Sequence, residues 1–363
     1  MANKIFLTQR TNRHVIKRLN SDVNPAIYDS ASFGNYGISG VTNSDLNFPQ
    51  GVAVDPSGNV YICDTKNHRI VKLDSSLAYV DKYDTLSTIG YPQAIMYDAI
   101  NSELYVVGVH AHIYIRIERL TTALVSSKVS GNLHPMNDMW HKPTSIVRGP
   151  TVDSFLVGGA NLGLFSTVET GTFSAFTQIH ISGEVTKWPN LYTKTLYNGI
   201  VHHSINDDLY VNDGKRILRV SLPTFVNIGD SDFISETLTI LKEGIDGTLL
   251  TLDADNKKII RYDEDLNFVE DVYVHQTEID YSTLTGAFLI GEEVRTPTPG
   301  FGKGRVVTDN GSNQMHITIS RDSFKISDVI TGVESAATCV ITDIVNPIAI
   351  DGADIVDLVE VDI

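Results

Sequence analysis

Pro49-Gln50-Gly51-Val52-Ala53-Val54-Asp55-Pro56-Ser57-Gly58-Asn59-Val60-Tyr61-Ile62-Cys63-Asp64-Thr65-Lys66-Asn67-His68-Arg69-Ile70-Val71-Lys72-Leu73-Asp74 reads as three short strands joined by tight turns. Gly51–Asp55 alternates and predicts an inner strand. Pro56-Ser57-Gly58-Asn59 carries the residues a tight turn requires. Val60–Cys63 is the second strand and Asp64-Thr65-Lys66-Asn67 the next turn. Arg69–Leu73 is the third strand, and Ala78–Tyr83 supplies a fourth. Four antiparallel strands in this length of chain make one propeller blade.

Weaker copies recur. The second runs through Tyr91–Asp98, Glu103–Val107 and His112–Arg116. The third uses Lys142–Val147, Ser154–Gly158 and Gly163–Phe165. The fourth uses Tyr197–His202, Asp208–Asn212 and Arg216–Val220. The fifth uses Leu238–Leu241, Gly247–Leu252, Lys258–Tyr262 and Phe268–Val272. The N-terminus holds a partial copy: Ile5-Phe6-Leu7-Thr8 matches Val60–Cys63, and Asn12–Lys17 matches Asn67–Lys72. That copy lacks an inner strand, which Glu278–Leu284 is expected to supply. A blade shared between both ends removes an open sheet edge. The expected fold is therefore all-β: a six-bladed propeller over residues 1–285, closed by N- and C-terminal strands, plus a small C-terminal β domain. Five or seven blades stay open, because residues 120–140 and 170–195 resist registration.

Residues 47–74 resemble an NHL repeat, and residues 1–285 resemble an NHL-type propeller. The turn chemistry stands beside that likeness. Asp64 and Asn67 are placed to bond turn amides, and Arg69 to span the blade edge to a carboxylate or carbonyl. All three are expected to be structural.

The tail has its own symmetry. Phe288–Val294 then Gly304–Thr308 is echoed by Phe324–Ile330 then Thr338–Thr342. Residues 286–346 read as a small β domain of two similar halves, with a thin core that docking or oligomerisation would support. Phe324, Asp328, Ile330-Thr331-Gly332 and Ser335-Ala336-Ala337-Thr338 resemble small β modules of tailed-phage virion proteins. Residues 347–363 form an acidic, apolar-alternating strand or tail. Its β-branched residues favour a pairing strand, which could recruit a neighbouring subunit by its edge.

The net charge is -16, which opposes broad nucleic-acid binding. A local basic patch, Arg10, Arg13, Lys17 and Arg18, remains at the N-terminus. The start Met1–Leu7 lacks the apolar stretch of a signal peptide, and no window predicts a membrane span. A soluble protein from a reducing compartment is expected. Cys63 and Cys339 are the two cysteines. Nothing motivates a bond between them, and buried thiols are expected.

No catalytic, cofactor or metal residues are assigned from the sequence. His110 and His112 share a strand face without a third ligand. His202 and His203 point oppositely. Propeller hydrolases and lactonases, which this fold resembles, hold a metal at the axis. The inner-strand carboxylates Asp55, Asp98, Asp207 and Asp253 make no recognisable ligand set. Asp also is the usual turn residue at such places. Trp140, Trp188 and Tyr192 lie ahead of inner strands and form a candidate contact surface, with inter-blade packing as the plain alternative for the tryptophans.

The resemblances together imply a non-enzymatic structural protein of a tailed-phage virion, in the tail, baseplate, fibre or neck. It would act as a docking or host-attachment platform. Its partners would be other virion proteins through residues 286–363 and a host surface protein or glycan. A homo-oligomer is expected, with no cofactor, no nucleic acid, no membrane insertion and a virion location after assembly in the host cytoplasm. The alternatives are a cellular propeller scaffold binding protein or carbohydrate, and a metal-dependent propeller hydrolase or lactonase.

Overall fold

The structure is a computed structural model. It describes residues 3–10, 13–22, 24–111, 114–130, 134–135, 143–149, 154–159, 163–170, 172–179, 199–222, 226–235, 237–296, 303–321, 324–345 and 355–362. The chain divides into two compact units, 1–272 with 351–363, and 273–350.

In the first unit, five blades are each built from consecutive strands. Blade one is Pro49–Val54, Val60–Asp64, Arg69–Leu73 and Tyr79–Asp84. Blades two to five begin with the inner strands Tyr91–Asp98, Pro143–Arg148, Ile200–His202 and Leu238–Glu243. A composite sheet of Ile27–Phe33, Val15–Asn20, Asn3–Gln9 and Ile355–Asp362 completes the unit.

The expected six-bladed ring over residues 1–285 is corrected. Five blades are contiguous, and the N-terminal strands take their inner strand from Ile355–Asp362. Glu278–Leu284 cannot play that part. It lies in Gln276–Thr285, whose two edges are already paired with Gln314–Arg321 and Thr338–Val345. The acidic C-terminal strand thus finds its partner, Asn3–Gln9, within its own chain.

Side chains of alternate parity on the inner and second strands pack against the sheet on either side. Phe6, Val52, Ile62 and Val71 join the composite sheet to blade one. Tyr61, Cys63, Ile95 and Val106 join blades one and two. Similar clusters join blades two and three, three and four, and four and five. Buried aliphatic and aromatic side chains of this size each contribute about 1.5–3 kcal/mol relative to exposure.

Turn chemistry sets the register. Asp55 accepts the Ser57 and Asn59 amides and Asn59 Nδ2, while Gly58 takes a positive φ of 79°. A second turn type recurs between third and fourth strands. Leu77, Leu124 and Leu266 adopt φ of 65°, 59° and 66°. Asp74 and Asp263 cap two of these turns through amides two and four residues on. A leucine in the left-handed region is costly. Burial of Leu77 and Leu124 offsets that cost.

The second unit is a closed six-stranded barrel, ordered Gln276–Thr285, Gln314–Arg321, Lys303–Asp309, Glu293–Arg295, Val329–Gly332 and Thr338–Val345. Its core includes Phe288, Val294, Ile317, Phe324, Ile330 and Ile341. The internal repeat is visible in its hydrogen bonds. Leu289 N donates to Glu292 Oε1, and Lys325 N to Asp328 Oδ2. Gly291 N donates to Val306 O, and Ser327 N to Ile341 O. Gly291 and Ser327 both have positive φ, 86° and 75°.

Candidate functional site

Each carboxylate singled out as an axial ligand is engaged elsewhere. Asp55 serves its turn and accepts Tyr61 OH at 2.8 Å. Asp98 accepts Arg148 Nε and Nη2 at 2.9 and 2.8 Å, a two-point pair between blades two and three. Burial pushes its pKa up, but the Arg148 pair and turn bonds from Ile100 and Asn101 outweigh this and hold it low. Asp207 lies 2.7 Å from His202 Nε2. Asp253 accepts the Asn256 amide and side chain. Among the described residues no three His, Cys, Asp or Glu side chains come together to hold a metal. The described residues do not fit the axial metal that the lactonase resemblance implies.

His203 is buried, donates from Nε2 to Gly247 O and packs edge-on to Tyr210. Burial, then Arg116, lowers the pKa of His110; His112 is outside the described residues. Trp140, Trp188 and Tyr192 also lie outside them, so the candidate contact surface is not located. Cys63 and Cys339 are buried free thiols. Burial raises Cys339 to about 12.

The turn residues of blade one form a compact network. Asp64 accepts Asn47 N at 2.6 Å, Asn67 Nδ2 at 2.8 Å and Arg69 Nε at 2.7 Å. Arg69 also donates to the carbonyls of Val41, Thr42 and Asp45. These bonds pin the 40–47 loop to the blade.

The residues that stand out are ones the sequence reading did not single out. Strand register aligns the inner strands. Ala53, Met96, Val147, Val201, Lys242 and Val359 each oppose a buried apolar or aromatic residue of the next strand out. Lys242 alone among them is charged. Two residues earlier stand Gly51, Ala94, Ser145, Gly199, Ile240 and Asp357, of which Asp357 alone is charged. The two exceptions meet. Lys242 Nζ lies 2.9 Å from Asp357 Oδ1 and 3.2 Å from Oδ2.

Asp357 also accepts the Val52 amide at 2.9 Å, so it touches both neighbours of the composite sheet. Its side chain is 5% exposed and that of Lys242 is 23% exposed, so the ammonium is the half that solvent reaches. Burial raises the Asp357 pKa, and the Lys242 charge and the Val52 bond only partly offset this. Cys63 lies behind the pair; its thiol is pushed well up, by burial first and then by the Asp357 charge.

A register shift recurs just before this position, at Pro49/Val52, Pro92/Ala94, Pro143/Ser145 and Leu238/Leu241, and where Ile355 and Asp357 face Gln9 and Thr8. Bulges of this kind re-aim side chains and are common beside active sites. Thr8 Oγ1 lies 2.5 Å from Gln50 O and 3.4 Å from Asp357 O, tying the bulge of blade one to the pair.

The NHL repeat family matches residues 46–73. No curated protein matches the chain. Among solved structures, a protein of unknown function from Bacteroides caccae is 8% identical, with 75% of this chain and 94% of that one covered and a TM-score of 0.54. The periplasmic gluconolactonase of Pseudomonas aeruginosa is 12% identical, with 100% and 99% covered and a TM-score of 0.53. A catalytically inactive virginiamycin B lyase from Staphylococcus aureus, solved with quinupristin, is 14% identical, with 87% and 91% covered and a TM-score of 0.49.

These findings correct the functional expectation. A gluconolactonase and a bacterial protein of unknown function share the fold, and neither is a phage protein. The virion role, virion partners and virion location fall with it, as does the expectation that the chain is not an enzyme. The misleading signal was the turn grammar of the barrel, which closes a small β domain whatever its owner. No helix among the described residues is long and apolar enough to cross a membrane. The chain is an all-β, propeller-like protein with an NHL-repeat segment and a separate small β-barrel.

Proposed function

We propose that the chain is a hydrolytic propeller enzyme of the lactonase type, with Asp357 and Lys242 as its working pair. One observation carries the reading: a buried ion pair stands on the inner strands where the repeat elsewhere puts small or apolar residues. Replacing such a pair with packed apolar side chains is often neutral or stabilising. The fold thus gains little from it, and the chemistry gains an acid–base group beside a cation. The Pseudomonas counterpart is a gluconolactonase, which makes a lactone the first substrate to try; a shared fold by itself carries no substrate.

The chemistry uses both groups. Asp357, with its raised pKa, takes a proton from a water whose oxygen bonds to the lactone carbonyl carbon. The carbonyl electron pair moves onto oxygen, beside the Lys242 ammonium. Collapse breaks the ring C–O bond, and the leaving alkoxide takes the proton back from Asp357. No step runs through a metal.

The test is proton release from glucono-δ-lactone and γ-butyrolactone, followed at constant pH. Asp357→Asn is expected to lower kcat/KM by about 10²–10⁴, and Lys242→Met by about 10²–10³. Turnover unchanged in both folded variants, or no turnover by the folded wild type on either lactone, would overturn the reading and leave the cellular binding scaffold in its place.

A further inference from the structure

In the small barrel, the hairpin joining Lys303–Asp309 to Gln314–Arg321 turns through Asn310-Gly311-Ser312-Asn313. An asparagine followed by glycine can modify itself. The glycine amide nitrogen reaches back to the asparagine side-chain carbonyl carbon and closes an imide ring, and glycine has no side chain to obstruct it. The chain has two such pairs, Asn198-Gly199 and Asn310-Gly311. Their glycines stand in opposite surroundings. Gly199 is buried, and a Cβ there would press on the Leu241 backbone. Gly311 is exposed, with a φ of 70° and nothing within 4 Å of where a Cβ would stand, so water reaches it freely.

The turn surrounds that pair with the groups the ring closure needs. Asn310 Oδ1 accepts the backbone amides of Ser312, Asn313 and Gln314 at 2.9, 3.0 and 3.1 Å. Attack at Cγ pushes the carbonyl electron pair onto this oxygen, so the three donors already stand where the oxyanion forms. The Gly311 amide donates to Asp309 Oδ1 at 3.0 Å, which places a carboxylate on the proton that must leave. Tyr281 OH donates to the same Asp309 oxygen at 2.6 Å and fixes its position. Asn310 is held over the turn by its own amide, which donates to Gln314 O at 3.0 Å, and by Nδ2, which donates to Asn313 Oδ1 at 3.1 Å.

We propose that Asn310 is a self-modification site, at which the folded turn promotes conversion of the asparagine to aspartate and isoaspartate. Gly311 N bonds to Asn310 Cγ, and its proton passes to Asp309. The new oxyanion rests among the three amides. Its collapse breaks the Cγ–Nδ2 bond, and ammonia leaves with the proton that Asp309 took. Water then adds to one imide carbonyl, that carbon's bond to the ring nitrogen breaks, and the nitrogen takes a proton from the water. Opening at the side-chain carbonyl gives aspartate. Opening at the main-chain carbonyl gives isoaspartate, which lengthens the backbone of the turn. Either product sets a second carboxylate beside Asp309 at the tip of the hairpin. The site belongs to the barrel and stands whether or not the Asp357–Lys242 pair is catalytic.

Timed incubation of the full chain at mildly alkaline pH, read by mass-spectrometric peptide mapping, tests this. The reference is a synthetic peptide of residues 307–315, which has the same residues without the barrel. Asn310 in the folded chain is expected to convert about tenfold faster than in the peptide, the worth of one well-placed hydrogen bond in the transition state. Conversion in the folded chain no faster than in the peptide would overturn the proposal. Asp309→Ala is expected to slow the folded chain about tenfold or more. Asp280→Ala is the control: it removes a carboxylate that accepts Gln314 Nε2 in the same hairpin and has no bond to Gly311, and the rate is expected to hold. A rate unmoved by Asp309→Ala, or slowed equally by Asp280→Ala, would also overturn the proposal. If Asp309→Ala fails to fold, the comparison of wild type with peptide decides alone.

Discussion

Blade one and the composite sheet have the same four-strand plan and are held in different ways. Blade one is local. Its strands follow one another through turns capped by Asp55, Asp64 and Asp74, and the Asp64–Arg69 network ties it to the loop just before it. The composite sheet joins residues about 350 positions apart. Its inner strand meets blade five through charges: Asp357 with Lys242, and Glu360 with Arg261 at 2.7 and 3.0 Å. A strand that arrives from far along the chain has no tight turn to set its register. A one-residue slip would put Asp357 and Glu360 on the wrong face, and a misplaced buried charge is expensive. We read the Glu360–Arg261 pair as the register lock of the ring.

The largest expected effect lies in that lock. Glu360→Ala leaves the Arg261 guanidinium, 9% exposed, without its buried partner. It should cost about 3–5 kcal/mol in urea unfolding, and Glu360→Met with Arg261→Met should recover most of the loss. A single variant as stable as wild type would break the contrast with blade one.

A smaller effect is expected where blade one meets blade two. A Cβ on Gly51 would sit 2.8 Å from Ala94 Cα and 2.9 Å from Gln93 O, both backbone. Gly51→Ala should cost about 1–3 kcal/mol by overpacking. A neutral result would mean that neighbouring blades can slide apart and that packing does not hold blade one.

The smallest effect sharpens the comparison through pH. Burial raises the pKa of Asp64 in blade one and of Asp357 in the composite sheet, despite the hydrogen bonds and cations that oppose it. A raised folded-state pKa means the native protein holds the proton more tightly than the unfolded chain. The contribution is complete below the ordinary aspartate value and fades as pH rises through the folded value. The stability penalties of Asp64→Asn and Asp357→Asn should therefore both shrink as pH rises from the acid side. Thermal midpoints across that range check it. A penalty for Asp357→Asn that grows with pH would mean that the Lys242 pair, not burial, governs the composite sheet.

Much of the propeller was legible because its signals are short-range. Strand alternation and Asp-Gly-Asn turns mark blade one in the chain itself. The barrel's internal repeat was equally visible, since Phe288 and Phe324 and the Glu292 and Asp328 turns recur at a fixed offset. The leucine turns at Leu77, Leu124 and Leu266 were not legible, because a leucine with positive φ contradicts local preference; Leu77 and Leu124 are held there by burial. The candidate site was hidden for a related reason. Lys242 sits in an ordinary strand pattern, and Asp357 in an alternating tail that reads equally well as a free or intermolecular strand. A register alignment of the inner strands would have flagged Lys242. Asp357 could be aligned only once its strand had been assigned to the ring.

The sequence by itself determined the all-β class, the NHL-like blade repeat and the presence of a separate small β domain. Each is written within about 40 residues, the span over which turn chemistry and side-chain alternation act. Only the tertiary structure decided which strand closes the ring, which strand begins the barrel, and that Asp357 and Lys242 face each other. Those choices compare pairings across the whole chain. They are settled by which edge is free, which face buries its apolar side chains, and where a buried carboxylate finds a cation.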